Sequence, residues 1–287
     1  MIRPRRSVLY TPGSNARALE KACALPADAL ILDLEDAVAP DVKEMARRQV
    51  CEAVAAKGFG KREVIVRINA LSTAWGAGDL SAGAQARPDG ILLPKVSTPA
   101  DLHDVEKALA GLHADPAIRL WAMIETPLAI LNIATLASAG GRLSCFVMGT
   151  NDLIKELHGV HMRGRGNLAA ALSLSVMAAR AHGLAAIDGV FNDIQDAQGF
   201  ESQCREAKAF GFDGKTLIHP SQIEPCNAIF APSAEEVAEA RKILAAFEAP
   251  ENSGKGAIKL DGRMVELLHA DIARRTVSMA QAIESLR

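Results

Sequence analysis

The stretch IRLWAMIETPLA, residues 118–129, decides the fold prediction. A mostly apolar run ends at Glu125, and Pro127 then begins a segment whose apolar residues have helical spacing. An apolar run of this length predicts a strand buried on both faces, and the helix directly after it predicts a βα unit of a parallel sheet. The carboxylate of Glu125 at the junction has no evident structural purpose, so its partners are the first question that the sequence raises.

Seven further short apolar runs repeat the pattern: RSVLY (6–10), DALILDL (28–34), EVIVRIN (63–69), GILLPK (90–95), SCFVMGT (144–150), AAIDGVF (185–191) and KTLIH (215–219). Helical spacing predicts helices over residues 16–24, 43–56, 99–109, 127–137, 168–181 and 197–210. Eight strands alternating with helices predict an α/β fold, a (β/α)8 TIM barrel. An open doubly wound sheet is the alternative, but no Gly-x-Gly-x-x-Gly motif follows an early strand.

The chain continues well beyond the eighth strand. We therefore assign residues 1–230 to a catalytic (β/α)8 barrel domain and residues 231–287 to a C-terminal helical extension, or lid. SAEEVAEARKILAAFE (233–248) predicts a helix capped by Ser233. APENSGKGAIKLDG (249–262) is rich in turn residues and predicts a linker, and residues 263–286 have helical periodicity again.

Composition excludes several classes of protein. The net charge is −2 over 287 residues, which gives no bias toward nucleic acid or an anionic membrane. No run of apolar residues is long enough to cross a membrane. The five cysteines are scattered and include no Cys-x-x-Cys pair, so neither a disulfide framework nor a zinc site is predicted. We expect a cytoplasmic enzyme.

Polar residues follow the predicted strands at the end where the βα loops of a barrel gather. They are Asp33, Glu35, Asp36, Arg67, Asn69, Lys95, Glu125, Asn151, Asp152, Asp188, Asn192 and Asp193. Glu125 and Asp152 come from adjacent strands, and two carboxylates brought close need a cation between them. A pair of hard oxygen ligands with the other positions left to water and substrate is typical of Mg²⁺. The alternative is that each carboxylate caps the helix that follows it.

Arg67 lies on a strand predicted to be buried, where a guanidinium needs an anionic partner. It offers a two-pronged donor for a substrate carboxylate, or an internal partner for Glu35 or Asp36 on the preceding strand. Lys95 and Lys215 raise a different possibility, because a desolvated lysine inside a barrel can form a Schiff base. A counter-charge to the acidic mouth is the simpler role for both.

A set of motifs, in this order along the chain, resembles the citrate lyase β-subunit-like family, which includes malyl-CoA and citramalyl-CoA lyases of the HpcH/HpaI aldolase superfamily. The motifs, between Arg5 and about Leu268, are RSVLYTPGS, LDLEDAV, VRINAL, WGAGDL, LLPKV, MIET, GTNDL, AIDGVFND, GFDGKTLIHPSQI and GKGAIKLDGRMVE. The resemblance implies Mg²⁺-dependent cleavage or formation of a carbon–carbon bond in a 3-hydroxyacyl-CoA, giving a 2-oxo acid and a short acyl-CoA.

By the same resemblance, Glu125 and Asp152 are the metal ligands and Arg67 is the partner of the substrate carboxylate and keto oxygen. Glu35 and Asp36 line the floor beside Arg67. CoA contacts are expected from Arg17 and Lys21, which follow TPGSN on the first helix; solvated helix positions are the alternative for both.

The tail departs from the family pattern. The relatives resemble Gly-x-Met-Ile-Asp, with an acid/base aspartate often delivered to the mouth of a neighbouring subunit, whereas this chain has Glu266 at that position. Glu266 is the predicted acid/base, with Asp271 as a second candidate; the alternative is that Glu266 is a solvated helix residue. The resemblance also implies a homo-oligomer, a trimer or hexamer.

Two other functions stay open from the sequence. One is a citrate lyase complex β-subunit that acts on an acyl-carrier-protein thioester, against which the intact tail argues. The other is a non-catalytic paralogue that binds an acyl-CoA or a 2-oxo acid, for which the replacement at Glu266 is the motive.

Overall fold

A closed barrel of eight parallel strands forms the centre of the protein, whose computed structural model describes residues 2–286. Each strand pairs with the next along the chain, and the first also pairs with the eighth. The strands are β1 (Ser7–Pro12), β2 (Ala29–Asp33), β3 (Glu63–Arg67), β4 (Gly90–Leu93), β5 (Arg119–Ile124), β6 (Leu143–Met148), β7 (Ala185–Asp188) and β8 (Gly214–Leu217). The TIM barrel prediction is confirmed, and the open-sheet alternative is wrong.

Helices surround the barrel. They are α1 (Ala16–Ala22), α2 (Lys43–Ala55), α3 (Gly76–Ala86), α4 (Pro99–Gly111), α5 (Pro127–Leu131), α6 (Ile133–Ala137), α7 (Thr150–Glu156), α8 (Ala169–Ala181), α9 (Ala197–Phe210) and α10 (Ile223–Phe230). Helix α3 was not predicted, because its glycine- and alanine-rich sequence has a weak apolar period. The single helix predicted over residues 127–137 is divided in two at Asn132.

Two compact units make up the chain. One is residues 5–227, which contain the whole barrel, and the other is residues 228–286 together with residues 2–4. The second unit contains α11 (Ala234–Glu248), β9 (Ala257–Leu260), β10 (Arg263–Glu266) and α12 (Leu267–Leu286). Ser233 caps α11 as predicted, in a capping box with Glu236. The small buried side chains of Ala240, Ala270 and Ala273 lie on α11 and α12, which pack against each other.

The tail corrects two expectations. The predicted linker over residues 249–262 contains β9, which pairs antiparallel with β10, and residues 263–266 are strand rather than helix. The two-residue turn is Asp261–Gly262, with φ of 47° and 79°. An Asp-Gly pair with positive φ at both residues makes the type I′ turn of a tight hairpin. Glu266 is consequently the last residue of a strand, and the helical reading of its position is wrong.

Side chains alternate between the two faces of each strand, and those that face inward fill the barrel and line its mouth. The interior core includes Val8 of β1, Ile31 of β2, Ile65 of β3 and Met123 of β5. Side chains two residues apart on a strand share a face, so the next interior position on each strand lies one step nearer the carboxyl end. Those positions are occupied by Tyr10, Asp33, Arg67 and Glu125.

A buried ion pair closes the opposite, amino-terminal end of the barrel. The Arg5 guanidinium donates to both carboxylate oxygens of Glu63 at 2.6 and 2.8 Å and lies 5.2 Å from the centre of the Trp121 ring. The Glu63 side chain is only 3% exposed. The Arg5–Glu63 pair therefore serves the stability of the fold, since TIM barrels place their chemistry at the other end.

No helix among residues 2–286 is long and apolar enough to cross a membrane.

We expect Arg5→Met to lower the free energy of unfolding by about 3 kcal/mol, because a buried carboxylate loses a bidentate cationic partner. Urea unfolding followed by circular dichroism measures it. Arg205→Ala, which breaks the exposed pair with Glu201, is the control and should cost less than about 0.5 kcal/mol. Equal effects of the two substitutions would contradict the structural role of the Arg5–Glu63 pair.

Candidate active site

A cavity of about 300 Å³ opens at the carboxyl end of the barrel strands. Four of the predicted site residues line it: Asp36, Arg67, Glu125 and Asp152. The rest of its lining is Tyr10, Asp33, Ala37, Met123, Met148, Gly149, Thr150, Asn151, Val190, Asn192, Thr216 and Ile218. Groups that are far apart in the sequence therefore meet in one space, as the strand-end positions predicted.

Glu125 does not cap the helix that follows it. Thr126 is the N-cap of α5, and its hydroxyl accepts a hydrogen bond from the Ala129 amide. The Glu125 side chain is instead held inward, 2% exposed, with Oε1 accepting a 2.7 Å hydrogen bond from the Lys95 backbone N–H. Room for it exists only because residue 149 is glycine: a Cβ there would lie 2.4 Å from Glu125 Oε2. The capping alternative is wrong for Glu125.

Asp152 lies in the first turn of α7 and makes no capping hydrogen bond there. Its Oδ1 atom is 3.6 Å from the Lys95 ammonium, and the side chain is 24% exposed. Lys95 thus contacts both candidate metal ligands, Glu125 through its backbone amide and Asp152 through its side chain. Asp152 and Glu125 are also close enough to interact electrostatically.

Arg67 is surrounded by carboxylates. Its Nε and Nη2 atoms each donate to Asp33 at 2.6 Å, and Nη1 lies 2.9 Å from Glu35 and 3.5 Å from Asp36. The predicted internal pairing of Arg67 with Glu35 and Asp36 is therefore present, with Asp33 of β2 as a further partner. Arg67 also lines the cavity, and its contact with a substrate carboxylate stays a prediction. Asp36 is 64% exposed and its contact is the longest, so this side of the guanidinium is the one open to a ligand.

The pKa values of two carboxyls at the mouth are raised, chiefly by burial. Burial, and secondarily the Asp152 carboxylate, raises the pKa of Glu125 to about 7, against the lowering effect of the Lys95 amide. Burial also raises the pKa of Glu35 to about 7, although Arg67 opposes the shift. Among the described residues, Glu35 Oε2 has no partner in hydrogen-bond geometry, its 2.9 Å contact with Arg67 being misaligned.

Tyr10 is a site residue that we did not predict. Its ring stacks on the Arg67 guanidinium at 4.9 Å from the ring centre, and its hydroxyl lies 3.5 Å from the Met123 sulfur. A cation over an aromatic face is attracted by the electron density of the ring. The signal was present in the sequence, since Tyr10 is the only tyrosine and lies two residues after a core position on β1.

Lys215 is committed to a buried network. Its ammonium donates to Asp188 at 2.7 Å and to the Gly189 carbonyl, and Arg165 donates to the other Asp188 oxygen at 2.7 Å. Burial alone would raise the pKa of Asp188, but Lys215 and Arg165 together lower it below its usual value. A charged, fully buried ammonium with these partners is a counter-ion and not a Schiff-base nucleophile.

The remaining candidates are not among the residues that line this cavity. Arg17 and Lys21 are exposed on one face of α1, which Asn15 caps. Glu266 is half-buried at the end of β10, where its backbone N–H donates to His269 Nδ1 at 3.0 Å. Asp271 is exposed on α12 and pairs with Arg274.

The donor set of the cavity fits Mg²⁺. Within residues 2–286 no group of three or more His, Cys, Asp or Glu side chains is arranged to hold a metal. A protein that provides two carboxylates and leaves the other positions to water and substrate is characteristic of Mg²⁺ rather than of Zn²⁺. Glu35 Oε2, which has no hydrogen-bond partner among residues 2–286, is a further acceptor that a cation at this mouth would satisfy.

Residues 6–220 match the model of the HpcH/HpaI aldolase/citrate lyase family. The chain belongs to this family. Residues 166–283 also match the model of the C-C bond lyase of the TIM-barrel fold. The family predicted from the motifs is confirmed, and with it the predicted class of enzyme, the carbon–carbon lyases.

Two relatives with named activities align with almost the whole of this chain. A (3S)-malyl-CoA thioesterase of Cereibacter sphaeroides is 50% identical over 99% of this chain and 97% of its own. An L-malyl-CoA/beta-methylmalyl-CoA lyase of the same species is 34% identical over 99% and 96%. Among solved structures, protein CitE of Mycobacterium tuberculosis in complex with magnesium, acetoacetate and coenzyme A is 32% identical, covers 96% of this chain and 98% of its own, and has a TM-score of 0.75.

We expect the metal-free protein to lose stability as the pH rises toward neutrality. The carboxyls of Glu35 and Glu125 have pKa values of about 7 in the folded protein, against an ordinary value of 4.5 that applies to the unfolded chain. Their protonated forms therefore stabilise the folded protein. This contribution to stability is fully present below the pKa of the unfolded state and is lost as the pH rises through the pKa of the folded state. Urea unfolding in EDTA should show a fall of about 2 kcal/mol per group between about pH 5 and about pH 8.

Glu125→Gln removes one of the two groups and should flatten the pH profile by about half. Glu201→Gln, at a partly exposed position of α9, is the control and should leave it unchanged. A wild-type profile that is flat or rises over this range would contradict the raised pKa values.

Proposed function

We propose that the protein is an Mg²⁺-dependent enzyme that cleaves a carbon–carbon bond in a 3-hydroxyacyl-CoA of the malyl-CoA type, or forms that bond in reverse. The observation that carries the proposal is the pairing of Glu125 and Asp152 through Lys95 at a cavity that Arg67 also lines. Family membership and the malyl-CoA activities of two relatives support the substrate class. Cleavage would give a 2-oxo acid and a short acyl-CoA.

Glu125 and Asp152 are the proposed metal ligands. The bound Mg²⁺ would act as a Lewis acid on the oxygen that becomes the carbonyl of the 2-oxo acid. The Glu125 carboxylate must be ionised to bind a metal, and because its pKa is raised to about 7, Mg²⁺ would compete with a proton for it near neutral pH. The 300 Å³ cavity has room for a small dicarboxylic acid beside the metal.

Arg67 is the proposed partner of the substrate carboxylate. Asp33 occupies its Nε and Nη2 donors, so Nη1, whose 3.5 Å contact with the exposed Asp36 is the longest, is the donor left for the substrate. Asp33, Glu35 and the Tyr10 ring hold the guanidinium in place, which keeps the positive charge fixed where the substrate oxygen becomes negative. Glu35 and Asp36 thereby act on the substrate through Arg67.

Glu266 is the proposed acid/base. In the cleavage direction the substrate hydroxyl would lose its proton to solvent as the carbon–carbon bond breaks, and Glu266 would give a proton to the carbon next to the thioester. In the condensation direction Glu266 would take that proton, and the new hydroxyl oxygen would gain one from solvent. We propose that it acts at the mouth of a second copy in a homotrimer or hexamer. Exposed apolar side chains near it on the tail support such a contact: Met264, Leu267, Leu268 and Ile272.

Coenzyme A binding is proposed for α1. Arg17 and Lys21 lie one helical turn apart and both are exposed, so their charges are available to phosphate groups.

The free thiols of all five cysteines support a reduced, cytoplasmic setting for the enzyme.

Thioester hydrolysis is a second candidate reaction, favoured by the 50% identity to a (3S)-malyl-CoA thioesterase over nearly the whole chain. The acid end of the substrate would be held in the same way. Water would then attack the thioester carbonyl, the C–S bond would break, and the products would be malate and free CoA.

Incubation with (3S)-malyl-CoA separates the two reactions by product. Carbon–carbon cleavage is expected to release glyoxylate and acetyl-CoA, measured by chromatography, with activity lost in excess EDTA and restored by Mg²⁺. Malate and a free thiol without glyoxylate would establish hydrolysis instead. Activity only on a carrier-protein thioester would favour the citrate lyase subunit, binding without turnover would favour the non-catalytic paralogue, and turnover in EDTA would refute the metal mechanism.

Mixing two inactive variants tests Glu266 and the oligomer together. Arg67→Met and Glu266→Gln should each lower kcat by at least about 10²-fold. Co-expression should restore about a quarter of the activity, because half the barrels are intact and half of their neighbours have intact tails. Glu284→Gln is the control on α12. No restoration would refute action between subunits, and a loss in Asp271→Asn rather than in Glu266→Gln would transfer the role to Asp271.

A further inference from the structure

Lys95 has an unusual backbone for a lysine. Its φ is 52°, in the left-handed region where side chains other than glycine, asparagine and aspartate are rarely found. This conformation directs the Lys95 N–H at Glu125 Oε1, 2.7 Å away, directly after β4 and Pro94. Such a backbone persists where the surrounding structure holds it and is typical of functional sites.

The side chain of the same residue extends to the other candidate ligand. The Lys95 ammonium is 3.6 Å from Asp152 Oδ1, and the side chain is 46% exposed. Glu125, Glu35 and Asp36 also contribute to the negative potential around it. This ammonium is therefore the positive charge nearest to Asp152, on a flexible stem that can move into solvent.

We propose that Lys95 is a displaceable counter-ion of the metal site: its ammonium neutralises Asp152 while the metal is absent and is displaced when Mg²⁺ binds. The inference rests on the proposed function, because it takes Glu125 and Asp152 as the metal ligands. The amide stays on Glu125 throughout, while the side chain and the metal compete for Asp152. Mg²⁺ alone is then bound weakly, since each binding event breaks an ion pair and places a dication beside a lysine.

The inference predicts a gain of affinity on mutation, which damage to the fold would not produce. Lys95→Asn removes the charge and keeps a residue that tolerates positive φ. Calorimetric titration of the variant with MgCl₂ should give a dissociation constant about two- to fivefold lower than that of the wild type, the range for a partly exposed charge pair. The difference should disappear at about 1 M salt, where the Debye length is about 3 Å.

Matched variants separate the charge from the side chain. Lys95→Arg keeps the charge and should bind Mg²⁺ like the wild type, as should Lys107→Asn at an exposed position of α4. Asp152→Asn should bind Mg²⁺ far more weakly. Equal or weaker binding by Lys95→Asn would overturn the counter-ion role while leaving the metal site in place. No binding by any variant would overturn both the inference and the proposed metal site.

Discussion

An excess of negative charge in a partly buried space is the constraint on which the mouth of this barrel depends. Five carboxylates surround two side-chain cations, Arg67 and Lys95: they are Asp33, Glu35, Asp36, Glu125 and Asp152. Two carboxyls respond by raising their pKa values to about 7, because an ionised group loses solvation when it is buried. A dication relieves what two side-chain cations cannot, so the same arrangement that costs the empty protein stability favours metal binding.

The fold delivers this charge through a simple geometric rule. Alternate residues of a parallel strand share a face, so a strand that fills the barrel with Ile65 or Met123 must present its next interior residue at the mouth. Arg67 and Glu125 are those residues. Their cost is offset by the apolar layers below them.

Patterns with a short period were predictable from the sequence. The eight strands, the identity of the residues at the mouth and the family all follow from local runs and motifs, and helix α9 follows from its strong apolar period. Contacts that depend on three-dimensional packing were not predictable. Three such features each bring together residues from different strands. They are the contact of the Tyr10 ring with Arg67, the space that Gly149 leaves for Glu125, and the left-handed backbone of Lys95. The β9–β10 hairpin was missed for another reason, because its Asp-Gly turn was read as part of a linker.

That hairpin also has an evolutionary consequence. Its register pairs Leu260 with Arg263 and Ala257 with Glu266 across a turn of two residues. The direction in which Glu266 points is set by counting from the turn, since a shift of one residue moves every side chain of a strand to the other face. Exchanging aspartate for glutamate at this position changes reach by one methylene, whereas a single insertion in the turn would reverse the face. The hairpin therefore accepts a change of residue at this position more readily than a change in the length of its loop.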